Sequence, residues 1–419
     1  MYGMAIALRA RVFDPRTLPR IADWLAVAVA VSLPWSTSAT GILIALWLAA
    51  VLPTMSVDRV RRELTTAAGA LPVLLWVLAA IGMLWADATW SERIAGLGKF
   101  HRLLLIPLLL AHFRRSDQGI WVFYGYLAAA LAVLIASWAL AVIPGLTWRG
   151  VEFGVPAKDY IFQGESFVIC AFALIVRACE DSRARHWRSV AGLVALAGFF
   201  LADIFFVATG RTVFLVLPVL GAFVGWRQFG WHGLLGFCLI GSVVGAVVWF
   251  GSPYLRARVD TSVAEFQAYR ASDDSNSTGV HLEFLRKSLG IIATAPVIGH
   301  GTGSSLEQFR RAAVGETGAA AATTGNPHNQ IFAVAIQLGL VGAVVLLAMW
   351  VAHFMLFRDG GLNALIGAVI VIENVVSSLV NSHLFDFTQG WLYVFGVGVA
   401  GGTALRGRDC AARRRLAKP

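Results

Sequence analysis

Residues 323–356 read TTGNPHNQIFAVAIQLGLVGAVVLLAMWVAHFML. From Asn329 to Leu356 the run contains no Asp, Glu, Lys or Arg, and a helix needs only about 20 apolar residues to cross the hydrocarbon of a bilayer. Residues 329–356 therefore predict a membrane-spanning helix. The polar TTGNPHNQ before it predicts the point where a loop re-enters the membrane, with Pro327 setting the chain direction and His328 opening the helix.

The pattern recurs along the chain. Comparable apolar runs predict spans near residues 21–35, 39–54, 70–86, 101–113, 119–143, 162–177, 189–208, 212–226, 232–250, 361–382 and 388–404. With 329–356 that makes about twelve. The run at 101–113 is short, and the amphipathic SERIAGLGKFHR before it suits the membrane interface. Composition agrees: of 419 residues 58% are hydrophobic and 14% charged, with a mean hydropathy of +0.71. Soluble domains carry roughly a quarter charged residues, so a water-soluble enzyme is excluded, as is disorder. A transmembrane β-barrel would show alternating strands of about 10 residues, whereas these runs are long and unbroken. The expected fold is all-α, a polytopic transmembrane bundle.

Lys and Arg orient it. With a cytoplasmic N-terminus, about 21 basic residues fall in inner segments, about six in short outer loops and seven in one long outer loop. Cytoplasmic loops are the basic ones, so both termini are expected inside. The net charge of +10 then reflects loop asymmetry and not a nucleic-acid partner. Arg9, Arg11, Arg16 and Arg20 precede any long apolar run, which does not read as a cleavable signal peptide. Cys170, Cys179, Cys238 and Cys410 show no CxxC spacing, so neither a disulfide framework nor a metal site is expected. The organisation expected is helices one to nine in 1–250, a large periplasmic loop at 251–327, helices ten to twelve in 328–404 and a basic cytoplasmic tail at 405–419.

A long ordered loop is usually functional. This one contains HLEFLRKSLGIIATAP, with Leu282, Leu285, Leu289 and Ile292 on one helical face. Pro296 ends that helix, the turn GHGTG follows, and SLEQFRRAAV predicts a second short helix. The preceding ASDDSNSTG is polar and turn-rich, which predicts mobility.

The informative polar residues lie at the outer boundary, where charge is costly without a purpose. Arg211 sits in a tight outer turn, VATGRTVFLVLP. Lipid anchoring is the alternative, yet the inside bias of basic residues makes an outer arginine less expected. His328 can stay neutral near pH 7 and accept a proton; a capping or interfacial histidine is the plainer reading. Asn329 beside it could bond a substrate hydroxyl. The loop adds His281, Arg286, Lys287, Arg270 and His300, and the last outer loop adds His383 and Asp386. Arg286 and Lys287 sit on the polar helix face, where solvated charge is the common explanation. Gly299, Gly301 and Gly303 fit a tight turn better than a phosphate cradle, since no strand precedes them. Asp203 and Glu373 lie within spans and are expected inside the bundle. There is no Asp-x-Asp, HExxH or histidine cluster on the outer side. A pyrophosphate bound there would need arginines, whose planar fork suits phosphate oxygens.

These residues match a pattern. His328-Asn329, nine residues, Gly339, two residues and Gly342 fit the His-Asn/Ser/Gln-x9-Gly-x-x-Gly/Thr/Tyr motif of bacterial O-antigen ligases. Arg211 followed by Leu215 resembles that family's Arg-x-x-x-Leu element, and PVIGHGTG (296–303) is similar to the Pro-x-x-Gly-x-Gly stretch of the wider ligase and polymerase superfamily. The likeness covers nearly the whole chain. Where many relatives place an arginine after the serines this chain has His281, so Arg286 and Arg270 compete for the role of second arginine. The motif glycines also have a physical role open to them, since small residues let helices approach closely.

The resemblance implies a GT-C-like, metal-independent glycosyltransferase of the inner membrane with a periplasmic site and no cofactor. It implies a glycan donor on undecaprenyl pyrophosphate and a sugar hydroxyl of lipid A–core as acceptor. Arg211 and His328 would be catalytic; Arg211, Arg286, Arg270, Lys287, His281 and Asn329 would bind substrate. Rivals are an O-antigen polymerase or a protein oligosaccharyltransferase of the same superfamily, a transporter of an anionic lipid-linked substrate using Arg211 and Asp203, and a structural assembly subunit.

Overall fold

The computed structural model describes residues 17–148, 153–208, 210–272 and 276–417, so Arg9, Arg11 and Arg16 lie outside the described residues. Among those described there is helix and no strand. The helices are α1 (Leu18–Ser32), α2 (Thr37–Val51), α3 (Val57–Leu64), α4 (Ala67–Gly82), α5 (Trp90–Gly98), α6 (Leu105–Phe113), α7 (Gly119–Val142), α8 (Tyr160–Arg183) and α9 (Trp187–Phe206). They continue with α10 (Val213–Gly251), α11 (Pro253–Ser272), α12 (Ser277–Thr294), α13 (Ser305–Ala312), α14 (Gln330–Leu356), α15 (Leu362–Ser377) and α16 (Phe387–Leu416).

Six of these, some with a short extension, are long and apolar enough to cross a membrane, and up to eight spans result if each of two bent pairs counts as one. The bent pairs are α3–α4, at 89°, and α5–α6, at 41°. α10 folds on itself at Gly230 (φ 60°), so its two arms face each other with Gly225 against Gly233 and Gly221 against Phe237. The arm after Gly230 exposes Leu235, Leu239, Ile240, Val243 and Val247, as a lipid-facing surface does. α16 runs without interruption to Leu416, so the basic stretch at its end is helical.

α8 occupies the centre and is buried over most of its length. Part of its polar content is matched by neighbouring helices. Asp203 of α9, fully buried, accepts from the Ser137 hydroxyl at 2.6 Å and the Gln163 amide at 3.1 Å, and Tyr126 donates to Ser166 at 2.7 Å. Asp203 and Glu373 thus both sit inside the bundle. Buried polar groups without partners cost about 1–3 kcal/mol each, so the Asp203 network ties α7, α8 and α9 at fixed register.

The long loop is more helical than its sequence suggests, since α11 fills residues that carry no strong apolar pattern. In α12 the buried face is Phe284, Lys287, Ser288 and Ile291 and not the expected leucine stripe. Leu289 is 58% exposed, and Leu282 and Leu285 face a cavity. Of the stretch expected to be mobile, residues 273–275 lie outside the described residues, while Asn276 caps α12 by accepting from Gly279 N–H at 2.8 Å.

One contact positions everything near the site. α14 is broken at Gly339, whose φ of 62° and ψ of −161° only glycine adopts freely. An intact helix would bond Leu340 N–H to Ile336 O and Val341 N–H to Gln337 O. Instead Leu340 and Val341 donate to Pro296 O (2.8 Å) and Val297 O (3.2 Å), while Ile336 O and Gln337 O accept from His300 N–H (2.8 Å) and Gly301 N–H (2.9 Å). The loop segment replaces the missing rungs. The motif glycine Gly339 therefore admits a loop and not a neighbouring helix: a Cβ there would overlap the Val297 carbonyl.

Candidate active site

The turn joining α9 to α10 presents Arg211, and Leu215 follows one helical turn later. α12 begins opposite, so Ser277, Thr278, His281, Leu282 and Leu285 share a face. The approach to α14 brings His328, and the loop after α15 brings Leu379, Val380 and Asn381. With Tyr160 and Ile161 at the head of α8, these enclose a cavity of about 390 Å³. Arg211 and His328, separated by more than a hundred residues in the chain, line the same space. His281 lies between them.

His328 is held on every side. It is one of three non-glycine residues with positive φ (53°) among those described, a conformation that needs surrounding support and is enriched at functional sites. The support is Asn326, whose Oδ1 accepts from His328 N–H at 3.0 Å and whose amide donates to Asn381 Oδ1 at 3.1 Å. The ring stacks on Phe284 (9° between planes, centroids 5.8 Å) and meets His281 edge-on, with centroids 4.2 Å apart. Burial, then the neighbouring His281, push the His328 imidazole down to about 4, so it is neutral at pH 7. His281 is lowered too, by burial and by Arg211.

Arg211 extends a guanidinium that is 42% exposed, 3.5 Å from Glu265 of α11 and 3.4 Å from the Thr278 hydroxyl. Thr278 in turn donates to Glu265 at 2.5 Å, and this bond, with Arg211, holds the Glu265 carboxyl below its usual range. The first turn of α12 adds the positive end of its dipole to this wall. One side of the cavity thus presents a guanidinium shared with Glu265, and Ile161, Leu215, Leu282, Leu285, Leu379 and Val380 supply its apolar lining.

Behind the 379–381 wall, His383 is fully buried. Its Nε2 lies 2.8 Å from Glu165 of α8, and its Nδ1 3.1 Å from Asp386. Burial opposes the charge, but Glu165 and Asp386 outweigh it and push the imidazole up to about 10.

Arg286, Lys287, Asn329 and His300, also singled out in the sequence, do not line this cavity. Arg286 pairs with Glu283 at 2.8 Å on the solvent side, with its side chain 63% exposed. Lys287 is buried and donates to the Ala320 carbonyl. Asn329 caps α14, accepting from Phe332 N–H and donating to Leu379 O, each at 3.0 Å. His300 anchors the loop inserted at Gly339. The side chain of Arg270 lies outside the described residues. Conversely, Glu265, Thr278, Tyr160, Asn326, Asn381 and Glu165 were not singled out. Only Asn326, in the NPHN turn, carried a local signal, because Asn bonds the backbone two residues on. Among the described residues no group of three or more His, Cys, Asp or Glu is placed to hold a metal ion.

Fold and cavity describe a multi-pass helical membrane protein with an amphiphilic site at one end of its bundle. Residues 196–347 match the family model Wzy_C, described as O-Antigen ligase, which supports a member of the O-antigen ligase/polymerase superfamily. The matched stretch contains Arg211, the whole long loop, His328 and the break at Gly339. The match supports activity of the ligase or polymerase type in general. Comparison with curated proteins yields no match.

Proposed function

We propose that this protein is an O-antigen ligase of the bacterial inner membrane, a bundle of about twelve spans in a GT-C-like arrangement with both termini cytoplasmic. It transfers a glycan from undecaprenyl pyrophosphate to a sugar hydroxyl of lipid A–core on the periplasmic side. The observation that carries this reading is the single cavity shared by Arg211 and His328, with a half-exposed guanidinium on one wall and leucines beside it. Those are the two demands of a lipid-linked pyrophosphate.

Arg211, with the first turn of α12, holds the pyrophosphate and stabilises the charge that develops as it leaves. Glu265 and Thr278 aim the guanidinium. His328, neutral and held by Asn326 and Phe284, takes the proton of the attacking hydroxyl. The oxygen forms its bond to the anomeric carbon as the bond to pyrophosphate breaks, so one displacement inverts the configuration. Leu215, Leu282 and Leu285 favour a cavity open to the outer leaflet, where both substrates are anchored. Arg270 remains the candidate for a second arginine, whereas the ion pair of Arg286 with Glu283 speaks for a role outside the cavity.

The test is a transfer assay with purified protein, undecaprenyl-pyrophosphate glycan and lipid A–core, with a chelator present. A joined product insensitive to chelation is expected, and His328→Ala should abolish it with the fold retained. Extended donor chains and no core-linked product would make the protein a polymerase instead.

A further inference from the structure

At the end of the bundle away from His328, α3, the turn after α6 and the tail of α16 enclose a second cavity of about 450 Å³. Arg59, Arg62, Arg114, Arg115, Arg406 and Arg413 line it, against two carboxylates, Glu63 and Asp409. Both carboxylates are already engaged. Arg114 lies 3.1 Å from Glu63 and donates to Asp409 at 2.8 and 3.0 Å, and Arg62 reaches the same Asp409 at 2.9 Å. With Asp117 4.0 Å from Arg406, six arginines against three acids leave three positive charges in excess.

Basic loops on one side of a membrane protein require only that arginines be scattered there. Here three elements distant in sequence direct them into one concavity, where like charges repel unless an anion intervenes. The crowding is felt: burial, then Arg59, hold the Arg115 guanidinium below its ordinary value. Guanidinium forks match phosphate oxygens, and basic pockets between helices at this level suit anionic headgroups.

We propose that this cavity is a binding site for a phosphate-bearing anion, supplied by the headgroup of an anionic phospholipid in the leaflet on that side. The proposal is independent of the transferase reading.

The experiment uses the full chain, stripped of lipid in detergent, and follows thermal unfolding and native-mass retention with phosphatidylglycerol, phosphatidylcholine or glycerol phosphate. Arg115 and Arg413 are exposed, so Arg115→Gln/Arg413→Gln should fold. Wild type should retain and be stabilised by phosphatidylglycerol over phosphatidylcholine, and the double variant should bind it about tenfold more weakly. Glycerol phosphate reproducing the full effect would keep the site and make its ligand a soluble phosphate. Equal binding by wild type and variant, or no preference over phosphatidylcholine, overturns the proposal.

Discussion

As the proposed base, His328 would owe its reactivity to its neighbours more than to its own chemistry. Phe284 and His281 remove water from the ring, and Asn326 fixes a backbone that most residues avoid. With the free imidazole at about 4, it is a base throughout the neutral range. A base works only when deprotonated, so kcat/KM for transfer should stay level from pH 7 downward. It should then fall by about tenfold per pH unit below about 4. A fall centred near 6.5, measured in the same detergent, would show that the ring is not desolvated as described. The two residues that define the cavity were legible in the sequence because each breaks a local rule: a lone outer arginine, and a histidine at the head of an apolar helix. Glu265, Tyr160 and Asn381 break none, and only the fold brings them there.

Helix by helix, apolar run length located most of the long apolar helices, since burial in lipid leaves a long, simple signature. It missed what is made by pairing distant segments. Nothing in IQLGLVG announces that α14 is interrupted, because the groups completing its ladder come from residues 296–301. Gly339→Ala should therefore destabilise the protein by about 1–3 kcal/mol from backbone strain alone. Thermal unfolding reads this directly, and an unchanged midpoint would mean that the break tolerates a side chain. The leucine stripe of α12 was misread for a related reason: periodicity marks an apolar face without saying whether core or cavity receives it. The last outer loop gives another test at this level. His383 holds its proton more tightly folded than unfolded, so its stabilisation is complete below about pH 6.5 and is lost as pH rises towards 10. His383→Gln should unfold earlier at pH 7, by about 3–5 kcal/mol for a broken buried pair, and lose that alkaline slope. Identical pH profiles for variant and wild type would show that the contact with Glu165 contributes nothing.

For the molecule as a whole, the two cavities lie at opposite ends of one bundle, and under the proposed orientation the one with Arg211 and His328 faces the periplasm. Val314, 82% exposed beside α13, and Cys410, exposed on α16, are on opposite sides in this reading. A membrane-impermeant thiol reagent should label Val314→Cys in intact cells and reach Cys410 only after permeabilisation; the reverse pattern would invert the topology. The proposed orientation rests on Lys and Arg alone. The span count is harder, because α1, α4 and α15 are short, α10 doubles back and α16 continues into a charged tail.

The exchange of rungs at Gly339 also bears on how the chain is made. Residues 296–301 are synthesised before α14, so they can be waiting outside when that helix inserts and needs partners for Ile336, Gln337, Leu340 and Val341. A chimera that imports a foreign loop without this hexapeptide would strand four backbone groups at the membrane boundary. The extramembrane part and the spanning helix are therefore inherited together, as one cooperative unit, and neither is a module to be swapped alone.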